Sequence, residues 1–159
     1  MKLYFKQKAF SLTQSTTVTD EFGNVMFTGK SEILSIGRKM HIYDDMNNEV
    51  AFIQQKLLTL MPRFSVFLGD EHIADVVKEF RLFKQDYRVE GLNWTIDGDY
   101  MAHDYTIRYG GQYLASIHKK WMAWGDSFEV DIANDRDILM VIAVIIAIDC
   151  VIDNSQSSR

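Results

Sequence analysis

The densest cationic groups in the sequence are His118-Lys119-Lys120 in one stretch and Arg81, Lys84 and Arg88 in another. Ammonium and guanidinium groups beside Trp121 and Trp124 suit an anionic headgroup, with the charges on phosphate and the indoles at an apolar boundary. Lys119, Lys120, Arg81 and Arg88 are therefore the candidate anion-binding residues. Against that use, an internal repeat described below places these lysines at the positions of Gln55-Lys56 and Lys78-Glu79, a solvated strand face. Arg38-Lys39 with His41 forms a third basic group, and on edge strands such charges limit aggregation.

Nucleophilic and metal chemistry find less material. No Gly-x-Ser-x-Gly elbow is present, and the single cysteine, Cys150, falls inside an apolar run where a thiol packs and does not react. His103-Asp104 with Asp97 and Asp99 offers imidazole and carboxylate, but no cysteine or second nearby histidine completes a zinc-like set. Asp44, Asp45, Asn47 and Asn48 have the oxygens of a calcium loop without its glycine and closing glutamate spacing. The sequence thus predicts no catalytic residue, no metal site and no cofactor. Asp149 is different: a carboxylate near the end of an apolar helix must be paired, exposed or protonated. It is predicted to be a structural helix-end carboxylate that finds a hydrogen-bond or cationic partner at the mouth of whatever encloses the helix.

That helix is the element to which the others answer. From Ile138 to Ile148 every side chain is apolar, so it has no polar stripe and needs cover on all sides. Asn134 stands at the N-cap position, and Asp135 and Asp137 suit the positive end of the dipole, predicting a helix over Asn134–Asp153. Extended to Ile152, the apolar stretch rises only ~22 Å against ~30 Å of bilayer hydrocarbon. Asp149 interrupts it and no Lys or Arg cluster flanks it, so the chain is not expected to be an integral membrane protein.

Upstream, the chain reads as short strands joined by turns. Strands are predicted at Leu3–Ala9, Ser15–Thr19, Val25–Thr28, Ser31–Ile36 and Met40–Tyr43. An internal repeat follows: Val50–Leu57 aligns position by position with Ile73–Phe80 and with Leu114–Trp121. The register continues through Phe64, Tyr87 and Phe128 and then Val66, Val89 and Val130, with Leu57, Phe80 and Trp121 expected to face the core. Between the second and third copies, Asp97-Gly98-Asp99 predicts a hairpin turn joining Leu92–Ile96 to Met101–Ile107. About a dozen strands with one apolar face each, and one helix needing cover all round, are satisfied together by an antiparallel sheet closed into a barrel around the helix. One domain spanning residues 1–153 is expected, with a disordered tail at 154–159.

A net charge of -5 argues against nucleic acid as a partner, because phosphate neutralisation needs a basic surface. One cysteine allows no internal disulfide, and the N-terminal stretch alternates charged and apolar residues, so a cytoplasmic location is expected.

Several segments carry a family resemblance: DEFGNVMF, NNEVAFIQQKLLTLMPRFSVF, GLNWTIDGDYMAHDYTI, LASIHKKWMAWGDSFEVDI and the terminal apolar helix with Asp149. Over nearly the whole chain the sequence resembles the LURP-one-related family, of the bacterial YxjI-like kind. That family belongs to the tubby-like C-terminal-domain superfamily, with the phospholipid scramblases. The resemblance implies a twelve-stranded antiparallel barrel enclosing a central C-terminal helix. For eukaryotic relatives it implies phosphoinositide binding in tubby proteins, a lipid-linked role in scramblases and a defence-associated role in plants. The expectation is a non-enzymatic binding module whose partner, an anionic lipid headgroup, a small ligand or a protein, meets a barrel end. A scramblase-like, membrane-associated protein and an unrecognised hydrolase or metal-dependent enzyme are the alternatives.

Overall fold

In the computed structural model, which describes residues 1–7, 15–32, 34–81, 84–120 and 127–157, twelve strands precede one long helix. The strands are β1 (Lys2–Gln7), β2 (Ser15–Thr19), β3 (Val25–Ser31), β4 (Lys39–Asp44), β5 (Glu49–Gln55), β6 (Arg63–Leu68), β7 (Glu71–Arg81), β8 (Lys84–Glu90), β9 (Trp94–Asp99), β10 (Asp104–Tyr109), β11 (Gln112–Lys120) and β12 (Ser127–Ile132). Every strand pair is antiparallel, in the order β8-β7-β6-β5-β4-β3-β2-β1-β12-β11-β10-β9. The first and last strands of the chain are thus neighbours, with Leu3 opposite Val130 and Phe5 opposite Phe128. The barrel is nearly closed: among the described residues no ladder joins β8 to β9. Across that seam the Tyr100 hydroxyl lies 2.9 Å from Asp86 Oδ1, and the Tyr87 and Tyr100 rings meet edge to face at 4.9 Å.

Alternation makes the barrel. Leu3 and Phe5, Met40 and Ile42, Ala51 and Ile53, Phe64 and Val66, Ala74 and Val76, and Ile117 with Ala115 are all buried, two residues apart on their strands, and point to one side. That side holds α1 (Ile138–Ser157), whose residues Val141–Ile152 are all buried. The three repeat copies fall on β5, β7 and β11, which run in the same direction, each after a tight turn. Phe64, Tyr87 and Phe128, like Val66, Val89 and Val130, are buried as the repeat predicts. Two of the turns are built alike. Asp20 Oδ1 accepts from the amides of Phe22 (2.9 Å) and Asn24 (2.8 Å), and Asp44 Oδ1 from those of Met46 (3.0 Å) and Asn48 (2.8 Å). These are Asx-type turns, in which a carboxylate stands in for backbone acceptors. They account for the oxygens that gave Asp44–Asn48 its calcium-loop flavour.

Five details differ from the sequence expectation. Asp97-Gly98-Asp99 lies inside β9, and the reversal is made by residues 100–103. Gly98 is required by proximity: a Cβ there would sit 2.4 Å from the Asp104 carbonyl oxygen and 2.7 Å from Tyr105 Cα, and its φ is +132°. The predicted strand Ser31–Ile36 is instead the end of β3 followed by a loop, with Leu34 and Ile36 exposed. Leu57 and Phe80, expected in the core, are 49% and 66% exposed because both lie at the barrel rim, past the reach of α1; Trp121 lies outside the described residues. The helix starts at Ile138: a 3-10 turn, Asp135–Asp137, comes first, with the Asp137 amide donating to the Asn134 carbonyl at 3.1 Å, and Asn134 makes no side-chain cap. It also runs to Ser157, so residues 154–157 are helical where a disordered tail was expected. Arg38 holds the last turns, as described below.

Candidate functional site at the loop end of the barrel

The meander gives the barrel two unlike ends. At the turn end, tight polar turns such as Asp20–Asn24, Asp44–Asn48 and Gly69–Asp70 connect the strands, and α1 begins there. At the opposite end, here the loop end, β3 reaches β4 through residues 32–38, β5 reaches β6 through 56–62, and α1 finishes.

The helix terminus is tied to this end by two contacts. Arg38 donates from Nη1 to the Cys150 carbonyl (3.5 Å) and from Nη2 to Asp153 Oδ2 (3.2 Å), placing a cation near the negative pole of the helix. Asp149, buried on α1, lies with Oδ1 3.0 Å from His103 Nε2. His103 has φ +50° in the β9–β10 loop, and its ring stacks on Phe128 with centroids 4.6 Å apart and planes 11° apart. The carboxylate has the partner at the barrel mouth that its position demands. Beside it, the Tyr105 hydroxyl is buried with no hydrogen-bond partner among the described residues. Burial first, and then the Asp149 charge, push its pKa well above the ordinary phenol value. Burial likewise pushes the Cys150 thiol up to about 12, which keeps it protonated and unreactive.

The outer rim of the loop end is apolar. Leu34 is 98% exposed, Leu58 107% and Leu60 101%, and Ile36, Leu57 and Phe80 complete a fringe along three consecutive connections. The loops are joined to one another. The Gln55 amide donates to the Arg38 carbonyl (2.8 Å), the Arg38 amide to Gln55 Oε1 (2.9 Å), and the Lys78 amide to the Pro62 carbonyl (2.9 Å). Within residues 56–62, Thr59 Oγ1 donates to the Met61 carbonyl (2.8 Å), so the leucines project from an ordered turn. Leu58 has φ +59°, a conformation that costs an L-residue ~1–2 kcal/mol, yet its side chain packs on nothing. Below this fringe lies a groove of about 520 Å³ lined by Leu60, Met61, Phe80, Arg63, Lys78 and Arg88, among others.

The charges of that groove are largely paired. Arg63 Nη1 reaches Asp75 Oδ2 at 2.8 Å and Glu90 as well, and Asp75 also accepts from Ser65 Oγ at 2.7 Å and lies 2.8 Å from His72. Burial of Asp75 opposes ionisation, but Ser65, Arg63 and His72 outweigh it and hold its carboxyl below the usual range. Arg88 is paired with Glu79 and Glu90.

The four sequence candidates do not converge. Lys119 and Lys120 are adjacent on β11 and therefore project to opposite faces of the sheet. Lys120 is held 3.0 Å from Glu129, which Lys2 also reaches at 3.0 Å. Arg88 is on β8, on the far side of β9 and β10 from β11. Arg81 ends β7 opposite Lys84, and its side chain lies outside the described residues. His118 lies 2.9 Å from Asp104. Among the described residues no cluster of three His, Cys, Asp or Glu side chains could hold a metal ion, and no helix is long and apolar enough to cross a membrane. The residues missed from sequence are the rim leucines. Their signal was present: Leu57, Leu58 and Leu60 before Pro62 break the period of two that a strand requires.

The LURP-one-related profile matches residues 1–149 of the chain. The chain is 31% identical over 156 residues to the uncharacterized protein YxjI of Bacillus subtilis (strain 168), an alignment covering 98% of this chain and 96% of that protein. A crystal structure of a protein from Arabidopsis thaliana superposes with a TM-score of 0.60 over 93% of this chain and 90% of that one. Its sequence identity is 17%, so that likeness speaks to the fold alone.

Proposed function

The chain belongs to the LURP-one-related family, and on that premise we propose that it works as a non-enzymatic binding module that engages its partner through the loop end of the barrel. The observation that carries this reading is the concentration of exposed large aliphatic side chains on one rim: Leu34, Ile36, Leu57, Leu58 and Leu60, with Phe80, share three neighbouring connections, whereas the turn end exposes Phe22 and Met46 singly on separate turns. An exposed apolar patch beside polar and charged groups marks an interaction surface. A strained backbone at Leu58 that holds a leucine into solvent adds to it, since neither packing nor conformational preference favours leucine there. The burial of Val141–Ile152 inside the sheet favours a surface module over a scramblase-like role, because the helix could reach lipid only if the barrel opened.

Site-specific photocrosslinking in the cells that express the protein tests this. A photoreactive phenylalanine analogue replacing Leu60 is expected to give adducts with a partner, whereas the same analogue replacing exposed Met46 at the turn end is expected to give few. Adducts that form equally at both positions, or only at Met46, would sink the reading.

A further inference from the structure

We propose that the seam between β8 and β9 takes up an extended peptide bearing lysine or arginine as an additional strand. This surface lies on the barrel wall, apart from the apolar rim of the loop end. The direction of the backbone groups, the way the seam is plugged and the sign of its charge lead there together.

The backbone comes first. In an antiparallel sheet successive residues turn their N–H and C=O groups to alternate neighbours. The Lys78 amide donates to the Pro62 carbonyl at the start of β6 (2.9 Å), so Val77 and Glu79 face β8 and form the hydrogen-bonded pairs with Arg88 and Asp86. Tyr87 and Val89 therefore turn their backbone groups into the seam. On the other side the Gly110 amide donates to the Asn93 carbonyl (3.2 Å), which sets Thr95 and Asp97 toward β10 and turns Trp94, Ile96 and Gly98 to the seam. Two strand edges thus face each other, and among the described residues no ladder joins them. Edge N–H and C=O groups spaced two residues apart are the complement of an extended chain.

Side chains plug the gap. The Ile96 carbonyl lies 2.9 Å from the Tyr100 hydroxyl, that hydroxyl lies 2.9 Å from Asp86 Oδ1, and Asp86 Oδ1 accepts from the Tyr87 amide at 3.0 Å. Three contacts in series span the seam where a ladder rung is one N–H···O bond of ~2.9 Å. The edges stand too far apart to pair with each other. A strand set between them, ~4.8 Å from each, takes over the hydrogen bonds that the two side chains supply. The Tyr100 hydroxyl has a single proton for two acceptors, so a peptide N–H serves the Ile96 carbonyl better than the plug does. Tyr87, buried beside a groove of about 390 Å³ at the seam, has a hydroxyl without a hydrogen-bond partner among the described residues, and an inserted chain can supply one. Residues 91–93 tie β8 to β9 at the turn end, so the peptide enters from the side where Tyr100 stands.

The charge of the seam selects the peptide. Glu79, Asp86 and Asp97 line the groove against Arg88 alone, and Arg88 is already paired with Glu79 and Glu90. Asp97 is exposed, with no cationic partner among the described residues. Cationic side chains at alternate positions of the added strand project beside these carboxylates, while the intervening apolar ones face Tyr87 and Trp94. An acidic segment is repelled.

The test is selection of a random-peptide phage library on the full chain, followed by fluorescence anisotropy and hydrogen exchange with the selected peptides. These are expected to carry lysine or arginine at alternate positions, to bind in a salt-sensitive way, and to slow exchange in β8 and β9. Asp97→Lys, at an exposed position, is expected to weaken binding about tenfold. Ile96→Pro removes an N–H that faces the seam and none that serves β10, and is expected to weaken binding as much with an unchanged circular dichroism spectrum. Tyr100→Phe removes the hydroxyl of the plug and is expected to lower the melting temperature while tightening peptide binding several-fold, a pair of signs that a merely structural contact does not give. The rim variant Leu58→Asp with Leu60→Asp is expected to bind peptide unchanged. No enrichment of any peptide over uncoated wells would overturn the inference, as would selected peptides indifferent to both Asp97→Lys and Tyr100→Phe. Binding lost in the rim variant but kept in Asp97→Lys would overturn the seam and support the loop end. Seam binding without crosslinks from position 60 would overturn the loop-end reading and leave this inference standing. A dimer on size-exclusion chromatography that Asp97→Lys dissolves, with no peptide selected, would overturn the peptide and assign the edges to a second copy of the chain.

Discussion

Truncation of Ile145 to alanine isolates what α1 contributes to the barrel. Ile145 is fully buried near the middle of Val141–Ile152, and its surroundings are strands tied on both sides by backbone ladders. A large-to-small change in a core destabilises by ~2–5 kcal/mol, and the loss is greatest where the walls cannot move inward. A hydrogen-bonded barrel wall collapses little around the three missing carbons, so Ile145→Ala belongs in the upper part of that range, at about 4 kcal/mol. Ile138, half-buried at the helix start, provides the internal comparison: Ile138→Ala should lose about 1–2 kcal/mol, since solvent already reaches the site. Urea titrations followed by far-ultraviolet circular dichroism and by tryptophan fluorescence would measure both, with an unchanged denaturant slope showing that the same surface unfolds. In thermal scans the Ile145 variant should melt about 8–16 °C lower, given ~2–4 °C per kcal/mol for a chain of this size. A loss below about 1.5 kcal/mol at Ile145, or equal losses at the two positions, would refute the claim that a rigid sheet encloses the helix.

Gly98→Ala should destabilise by at least about 2 kcal/mol in the same titration, because its Cβ would meet backbone atoms of Asp104 and Tyr105 across the β9–β10 pair and its φ of +132° is foreign to alanine; a loss under about 0.5 kcal/mol would show that β9 can move away. Leu58→Gly should stabilise the fold by ~0.5–1 kcal/mol by relaxing φ +59°, and an unchanged or lowered urea midpoint would show that the turn is not strained there. His41 gives a pH signature. Burial of its ring opposes charging, but hydrogen bonds with Glu49 and Glu32, both at 2.8 Å, and their charges raise its pKa above the usual ~6.5. The raised folded value means that this stabilisation is full below about pH 6.5 and fades as pH rises through the folded pKa. The stability difference between wild type and His41→Gln should therefore shrink above neutrality, by under about 1 kcal/mol for so accessible a pair, and a difference independent of pH would refute the clamp.

Much of the architecture was legible in the chain because it follows from local periodicity. An apolar run without a polar stripe, Ile138–Ile148, can be satisfied only by cover on every side, and strands alternating at period two can supply that cover. The repeat of Val50–Leu57 in Ile73–Phe80 and Leu114–Trp121 marks strands that run the same way around the barrel, and Asp149 announced its need for a partner. What could not be read was where each strand meets the rim. Leu57 and Phe80 carry the same hydrophobic signal as Ile53 and Val76, yet only the inner pair is covered, because cover depends on how far α1 reaches along the barrel. Gly98 reads as turn glycine until β10 is seen to pass within contact distance. The basic residues show the largest gap. Sequence proximity grouped Lys119 with Lys120, but a strand sends neighbours to opposite faces, and Glu129 and Glu79 arrive from adjacent strands to pair Lys120 and Arg88. The sequence by itself determined which residues prefer burial and at what period. Only tertiary structure decided which apolar residues remained outside and which cations remained unpaired, because both depend on contacts among segments far apart in the chain.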